Sequence, residues 1–183
     1  MEIILASNSP RRKELLEKAG VKFRVEPSDF EEKVFSLDPF KTAEAFAVGK
    51  AKAVLNALDG DYLVIGADTV VYLDGEILGK PKDEEHAKKM LKRLSNNTHT
   101  VVTGYALLSN KKVVSGFVQT QVTFNNLSDK TIDEYVNSGY CWGKAGSYGI
   151  QDPFPLVKEY NGSLSNVIGL PVETIISLIE KFK

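Results

Sequence analysis

Strand-like and helix-like segments alternate along this 183-residue chain, and this alternation restricts its fold more than any other feature. Short apolar runs predict buried strands, and apolar residues spaced three or four positions apart predict helices. The pair Asp74-Gly75 predicts a β-hairpin turn between antiparallel strands. Because crossover helices join parallel strands, a chain with both signals predicts an α/β fold with a mixed sheet.

The predicted elements follow one another without a repeat or a dividing linker. We predict strands near 3–6, 62–65 (continuing extended through 69–73), 76–78, 98–108, 113–124, 156–159 and 165–168. We predict helices near 10–20, 38–60, 83–94 and 128–137 and from 171 onward, a polar stretch at 27–37 and a glycine-rich loop at 139–155. The chain is therefore expected to form one domain over residues 1–183.

Composition excludes several classes of protein. Lys plus Arg is 23 and Asp plus Glu is 24, so the net charge of -1 argues against a non-specific nucleic-acid binder. Cys141 is the one cysteine, which rules out an intrachain disulfide and a cysteine metal cluster. No secretory signal and no apolar run of transmembrane length is seen, so we expect a cytoplasmic protein without a membrane partner.

The start of the first helix predicts a phosphate-binding site. Ser9 suits the N-cap and Pro10 the first helical position, but Arg11 and Arg12 then lie where the helix dipole is already positive. Free backbone N–H groups and two guanidinium groups would together bind a phosphate. The alternative is two solvated arginines on an ordinary helix.

Two carboxylates are candidates for catalysis or metal binding. Asp68 follows an apolar strand and sits beside Gly66, where the backbone can turn or come close to a ligand, and this suits a crevice at the end of a strand. It could hold a metal ion or deprotonate a water, or it could simply cap a turn. Glu32, in the polar stretch, would complement Asp68 in a magnesium site, although such acids are usually solvated.

Three longer polar side chains complete the candidate site. Lys80 can be held in place between Gly79 and a proline, and Lys52 borders the apolar face of the long helix; the alternative for both is an ordinary solvated lysine. Gln151, in the glycine-rich loop, can both donate and accept hydrogen bonds and so could read a base edge. The chain has neither a P-loop nor a dinucleotide or serine-hydrolase motif. The whole set suits metal-assisted attack of water on a phosphoanhydride.

Six motifs in order resemble the Maf family of nucleotide pyrophosphatases over nearly the whole chain. They are 5–12 (LASNSPRR), 50–54 (KAKAV), 66–71 (GADTVV), 79–81 (GKP) with Thr98-His99, 144–151 (KAGSYGIQ) and 167–171 (VIGLP). The resemblance implies a long, highly twisted mixed sheet with flanking helices, forming two lobes around a cleft, as in the related inosine triphosphatase fold. It also implies hydrolysis of nucleoside triphosphates to monophosphate and pyrophosphate with Mg²⁺ or Mn²⁺, by a protein that is often a homodimer.

The resemblance assigns roles to individual residues. It implies that Asp68 is the proton acceptor and that the substrate site contains Ser7, Arg11, Arg12, Glu32, Lys52, Lys80 and Gln151. Asp68-Thr69 matches the members that prefer dTTP and UTP, and Arg12, Thr69 and Gln151 match their specificity positions. A small threonine beside a glutamine could pair with the imide edge of a pyrimidine.

The implied task is the removal of non-standard nucleotides such as pseudo-UTP and 5-methyl-UTP. A 7-methyl-GTP-preferring enzyme and a non-catalytic nucleotide-binding regulator of septum formation are the alternatives. Three departures from the family pattern bear on these choices: Gly143, the run Asp152-Pro153-Phe154-Pro155, and Asn96-Asn97. The first two adjoin the loop of Gln151 and therefore concern base preference more than the reaction.

Overall fold

A computed structural model describes residues 1–33 and 38–182 of the chain. The strands are β1 (Glu2–Leu5), β2 (Arg24–Val25), β3 (Tyr62–Leu73), β4 (Glu76–Leu78), β5 (Thr98–Leu108), β6 (Val113–Phe124) and β7 (Val157–Asn161). The helices are α1 (Pro10–Lys18), α2 (Pro39–Asn56), α3 (Glu84–Leu94), α4 (Asp129–Asn137), α5 (Leu164–Ile168) and α6 (Val172–Ile179), with 3₁₀ turns at Ala145–Ser147 and Glu180–Phe182. The end of the predicted polar stretch, 34–37, and residue 183 lie outside the described residues. None of the described helices has the length and apolar character needed to cross a membrane.

All seven strands belong to one sheet, in the order β2-β1-β3-β5-β6-β7, with β4 paired to β3. β1 runs parallel to both β2 and β3, whereas the other strand pairs are antiparallel. The predicted mixed α/β sheet with flanking helices is therefore confirmed.

β3 is a single strand of 12 residues, longer than the sequence pattern predicted. Its pairing with β1 ends where Leu5 lies opposite Ile65, while its pairing with β5 continues to Tyr72. Asp68 is therefore in the middle of a strand, opposite Gly104, and the prediction that it follows the end of a strand is wrong. The open space beside it arises because the neighbouring strand, β1, stops three residues earlier in the register.

Two glycines allow α2 to lie against the sheet at backbone contact distance. A Cβ added at Gly66 would lie 2.2 Å from the carbonyl oxygen of Ala47, and one at Gly104 would lie 2.1 Å from that of Ala43. Both distances are far inside van der Waals contact, so any side chain would push the helix away. Gly66 thus makes room for α2 rather than for a ligand, which corrects the role expected from the sequence.

The core is divided along the length of the sheet. One cluster packs α3 and α4 against the far end of the long strands, and includes Val71, Val101, Phe124 and Tyr135. Another packs α1 and α6 against the opposite end, and includes Leu5, Ile65, Leu107 and Ile175. Asp68 and Thr69 lie on β3 between the parts that enter these two clusters.

The strand predicted at 165–168 is wrong, because these residues belong to the short helix α5. The Ser163 side chain accepts a hydrogen bond from the backbone N–H of Asn166 and so caps the helix. The side-chain amide of Asn166, which is fully buried, donates to the carbonyl of Val101 and to Thr120 Oγ1. These contacts with β5 and β6 override the strand propensity of the valine and isoleucine.

Candidate active site

A cleft of about 490 Å³ opens beside the end of β1. It is lined by the loop 6–9 and the start of α1 with Arg11 and Arg12, by Ser28 and Glu32, by Lys50, Asp68, Thr69 and Lys80, and by segments 142–145, 148–151 and 167–169. The structure thus brings together all the predicted site residues except Lys52. Residues from opposite ends of the chain meet here, where the Nε of Arg12 donates to the carbonyl of Gly169.

The start of α1 has the predicted geometry. Ser9 is the N-cap, Pro10 begins the helix, and the backbone N–H of Arg12 donates to Ser9 Oγ at 3.4 Å. The first turn contains no acidic residue, so neither the helix dipole nor the two guanidinium groups are neutralised within it. This helix end faces the cleft and is ready to bind an anion.

Three hydrogen bonds hold the guanidinium group of Arg12. Its Nε donates to the carbonyl of Gly169 at 2.7 Å, Nη1 to Ser7 Oγ at 3.2 Å, and Nη2 to Thr69 Oγ1 at 3.2 Å. Since an arginine has five N–H donors, one on each terminal nitrogen is left over from these bonds. Arg12 is thus a fixed cation that can still donate to a ligand.

Lys50 joins the two candidate carboxylates. Its Nζ lies 2.6 Å from Asp68 Oδ1 and 2.6 Å from Glu32 Oε1. The close approach of α2 to β3 at Gly66 brings Lys50 to this position. Asp68 is 7% exposed, so its negative charge is compensated mainly by neighbouring cations rather than by water.

The pKa values of the two carboxylates are shifted in opposite directions. Burial raises the pKa of Asp68 above its usual value, although the positive charges of Lys50 and Arg12 oppose this effect. For Glu32, burial acts in the same direction, but the hydrogen bond and charge of Lys50, with Lys80 and Arg12, outweigh it and lower the pKa. Asp68 is therefore a stronger base than an ordinary aspartate, whereas Glu32 is a weaker base than an ordinary glutamate.

Lys52 does not line the cleft, contrary to the expectation from the sequence. It is exposed and borders a separate shallow depression on α2, with Lys41 and Glu44. Lys50 supplies the ammonium group in the cleft instead. The pattern contained a usable signal: Lys50 follows Phe46 and Ala47 by four and three positions, and both of those residues are buried.

A buried ion pair shapes the loop that carries Gln151. Lys144 Nζ lies 2.7 Å from both carboxylate oxygens of Asp152. Asp152 Oδ2 also accepts hydrogen bonds from Tyr135 Oη at 2.6 Å and from the N–H of Gly149 at 3.0 Å. Asp152 is one of the departures from the family pattern, and in this chain it anchors the turn in which the exposed Gln151 lies.

Sequence reasoning did not assign the apolar part of the cleft. Trp142, Ile150, Val167 and Ile168 line it without having been predicted as site residues. Three of them lie within or beside the motifs that carry the family resemblance, but an apolar residue in a motif cannot be distinguished from a core residue by sequence alone.

Comparison with known proteins finds relatives that match nearly the whole of this chain. A family model described as "Maf-like protein" matches residues 2–182. The dTTP/UTP pyrophosphatase of Alkaliphilus oremlandii (strain OhILAs) is 49% identical over 175 residues, covering 93% of this chain and 91% of that protein. The dTTP/UTP pyrophosphatase of Pyrococcus abyssi (strain GE5 / Orsay) is 44% identical over 179 residues, covering 97% and 95%. A nucleoside-triphosphatase / dITP/XTP pyrophosphatase from Mycobacterium abscessus, a solved structure, aligns with a TM-score of 0.46 and 14% identity over 99% of this chain and 95% of that chain.

Proposed function

This chain belongs to the Maf-like protein family, and from that membership we propose that it hydrolyses dTTP and UTP to the monophosphate and pyrophosphate. One observation carries the proposal: the buried Asp68, bridged to Glu32 by Lys50, faces an uncompensated helix N-terminus with two arginines. Such a cleft offers both a base for water and cations for a polyphosphate.

The residues of the cleft have different roles in the proposed reaction. Arg11 and Lys80 neutralise the charge that develops on the phosphate oxygens as the phosphoanhydride bond breaks, and Arg12, fixed beside Thr69, adds to the positive potential of the cleft. Asp68 accepts the proton of the attacking water, and its raised pKa makes it a stronger base for that step. Lys50 holds Asp68 in place and limits how far its pKa rises.

A divalent cation, Mg²⁺ or Mn²⁺, is part of the proposal. Lys50 Nζ already lies between Glu32 Oε1 and Asp68 Oδ1, 2.6 Å from each, so a divalent cation held by both residues would bind their other carboxylate oxygens, Glu32 Oε2 and Asp68 Oδ2. Among residues 1–33 and 38–182 no cluster of three or more His, Cys, Asp or Glu is available, so the protein supplies at most these two carboxylates. This donor set fits Mg²⁺, which commonly takes one or two carboxylates and completes its shell with phosphate oxygens and water. The bound cation would neutralise charge on the triphosphate.

The test combines a nucleotide panel with one substitution. We expect pyrophosphate release from dTTP and UTP that is lost on chelation, and slower release from CTP, ATP and 7-methyl-GTP. Asp68→Asn should lower kcat by at least about 100-fold while changing nucleotide affinity little, because the proton acceptor is removed and the cations remain. A wild-type protein inert toward every triphosphate would contradict the proposal, and full turnover by Asp68→Asn would exclude Asp68 as the base.

Other parts of the proposal rest on the sequence alone, the cellular location on its composition and the other two on the family resemblance. They are the removal of modified pyrimidine nucleotides in the cell, a cytoplasmic location and a homodimeric assembly. Rates for pseudo-UTP and 5-methyl-UTP relative to UTP would test the first, cell fractionation the second, and sedimentation of the purified protein the third.

A further inference from the structure

A chain of hydrogen bonds runs from α5 through the sheet to the cleft. Thr103 Oγ1 lies 2.9 Å from the carbonyl oxygen of Asn166, and Thr69 Oγ1 lies 2.9 Å from Thr103 Oγ1. Arg12 Nη2 then donates to Thr69 Oγ1 at 3.2 Å. Thr103 is fully buried and does not line the cleft, whereas Thr69 does.

In each of these hydrogen bonds, the donor and the acceptor follow from which of the two groups has a proton to donate. The carbonyl of Asn166 can only accept, so the single hydroxyl proton of Thr103 is donated to it. Thr103 Oγ1 therefore accepts from Thr69, and the proton of the Thr69 hydroxyl points away from the cleft. Toward the cleft, Thr69 presents lone pairs only, one of which accepts from Arg12.

Space for a ligand exists beside this pair. A Cβ at Gly169 would lie 3.5 Å from Thr69 Oγ1 and 3.6 Å from Arg12 Nε, so the absence of a side chain there keeps the region open. Val167 and Ile168 line the cleft next to Gly169 and provide an apolar surface for a flat ring. The position thus offers a fixed N–H donor, a fixed oxygen acceptor and an apolar wall.

We propose that Thr103 is a specificity-positioning residue, which fixes Thr69 as a hydrogen-bond acceptor and so selects a nucleobase with an N–H beside a carbonyl. Uracil and thymine have this arrangement at N3–H and O4, with Arg12 donating to the carbonyl and Thr69 accepting from N3–H. Cytosine has a lone pair at N3 and an amino group at C4, so both groups mismatch. The inference rests on the proposed function, since it concerns the pyrimidine of that substrate.

The experiment measures binding rather than turnover. Affinities of α,β-imido-UTP and α,β-imido-CTP for the wild-type protein should differ by about tenfold or more, because a mismatched pair leaves polar groups unsatisfied. In Thr103→Val the Thr69 hydroxyl can rotate and donate to N3 of cytosine, which removes one of the two mismatches while that between Arg12 and the C4 amino group remains, so the ratio should fall by about threefold or more. Thr103→Ser should restore the ratio, because serine keeps the hydroxyl group.

A second measurement is independent of whether Thr103→Val folds. An N3-methylated α,β-imido-UTP lacks the N–H and should bind the wild-type protein about as weakly as the CTP analogue. Thr98→Val is the matched control, since Thr98 is on the same strand and its hydroxyl pairs with Thr123 at 2.8 Å, so it should leave the ratio unchanged.

Either of two results overturns the inference: an unchanged ratio in folded Thr103→Val, or equal binding of the N3-methylated and unmodified UTP analogues. Failure of the proposed function has a different signature: a protein that hydrolyses no triphosphate contradicts that function, yet if it binds the UTP analogue selectively and loses this selectivity in Thr103→Val, the role of Thr103 is supported.

Discussion

Lys50 and Lys52 are two positions apart on α2, and only one of them reaches the cleft. Two helical steps correspond to about 200° of rotation, so the side chains point to nearly opposite sides. Lys50 contacts both Asp68 and Glu32, while Lys52 is exposed on the other side of the helix. Of these two lysines, α2 therefore contributes only Lys50 to the cleft, although Lys52 has the same chemistry.

Replacing these lysines one at a time tests that difference. We expect Lys50→Met to lower kcat/KM by about 100-fold or more, because it removes the cation that contacts the buried Asp68. Lys52→Met, the matched control, should retain kcat/KM within about twofold. Equal losses in the two variants would contradict the assignment of Lys50.

The same variant has a predicted pH dependence. Asp68 must be ionised to accept a proton, so kcat/KM should fall as the pH decreases through its pKa. Burial raises that pKa and Lys50 lowers it, so Lys50→Met should move the acidic limb of the kcat/KM profile to higher pH. A limb that moves to lower pH, or that is unchanged, would indicate that another group controls it.

α2 supplies the cation that lies beside the buried carboxylate of the sheet. Its backbone lies against β3 and β5 at Gly66 and Gly104, and this close approach carries Lys50 onto Asp68. Phe30 also packs against α2. Its ring fills the space above Gly49 and meets the ring of Phe46 edge-on, with the two ring centroids 6.0 Å apart. The loop that carries Glu32 is thereby held near the same helix.

Gly104→Ala tests the helix contact. The new methyl group would lie 2.1 Å from a backbone carbonyl, which cannot move aside as a side chain can. We expect a loss of at least about 2 kcal/mol in the free energy of unfolding, measured by urea denaturation. Gly79→Ala, where nothing lies within 4 Å of the added Cβ, should change it by less than about 0.5 kcal/mol. Similar midpoints for the two variants would mean that α2 tolerates displacement.

Over the whole molecule, the cleft lies between the core cluster around α3 and α4 and the core cluster around α1 and α6. The cluster around α3 and α4 contains Tyr148, which lies opposite His99 in a buried aromatic group with Phe124. His99 Nε2 is 2.7 Å from Tyr148 Oη, and Nδ1 has no partner among the described residues. Burial lowers the pKa of His99 to about 4, so the ring is neutral in the folded protein at pH 7.

This histidine makes the stability of the fold depend on pH. Unfolded His99 takes up a proton below pH 6.5, whereas folded His99 does so only near pH 4. Its contribution is therefore complete above pH 6.5 and is lost as the pH falls toward 4, by about 2–3 kcal/mol at pH 4.5. We expect His99→Asn to lose correspondingly less stability than the wild type between pH 7.5 and 4.5 in urea titrations. If the free energy of unfolding falls equally in the wild type and in His99→Asn over this pH range, His99 is not the source of the pH dependence.

The alternating pattern determined the α/β class, the mixed sheet and most element boundaries, and local chemistry determined the Ser9 cap and the unusual cations at Arg11 and Arg12. These features depend on residues within a few positions of one another, and so they could be inferred from the sequence. The pattern also identified Asp68, Glu32, Lys80 and Gln151, although it could not show that they meet.

Only the tertiary structure decided which lysine enters the cleft, that residues 165–168 form a helix, and which way the Thr69 hydroxyl points. Each of these depends on partners distant in the sequence: Arg12 and Gly169 are 157 positions apart, and Thr103 and Asn166 are 63 apart. A hydrogen bond or close packing contact acts only over a few ångströms, so its outcome is decided by which distant segments the fold places side by side.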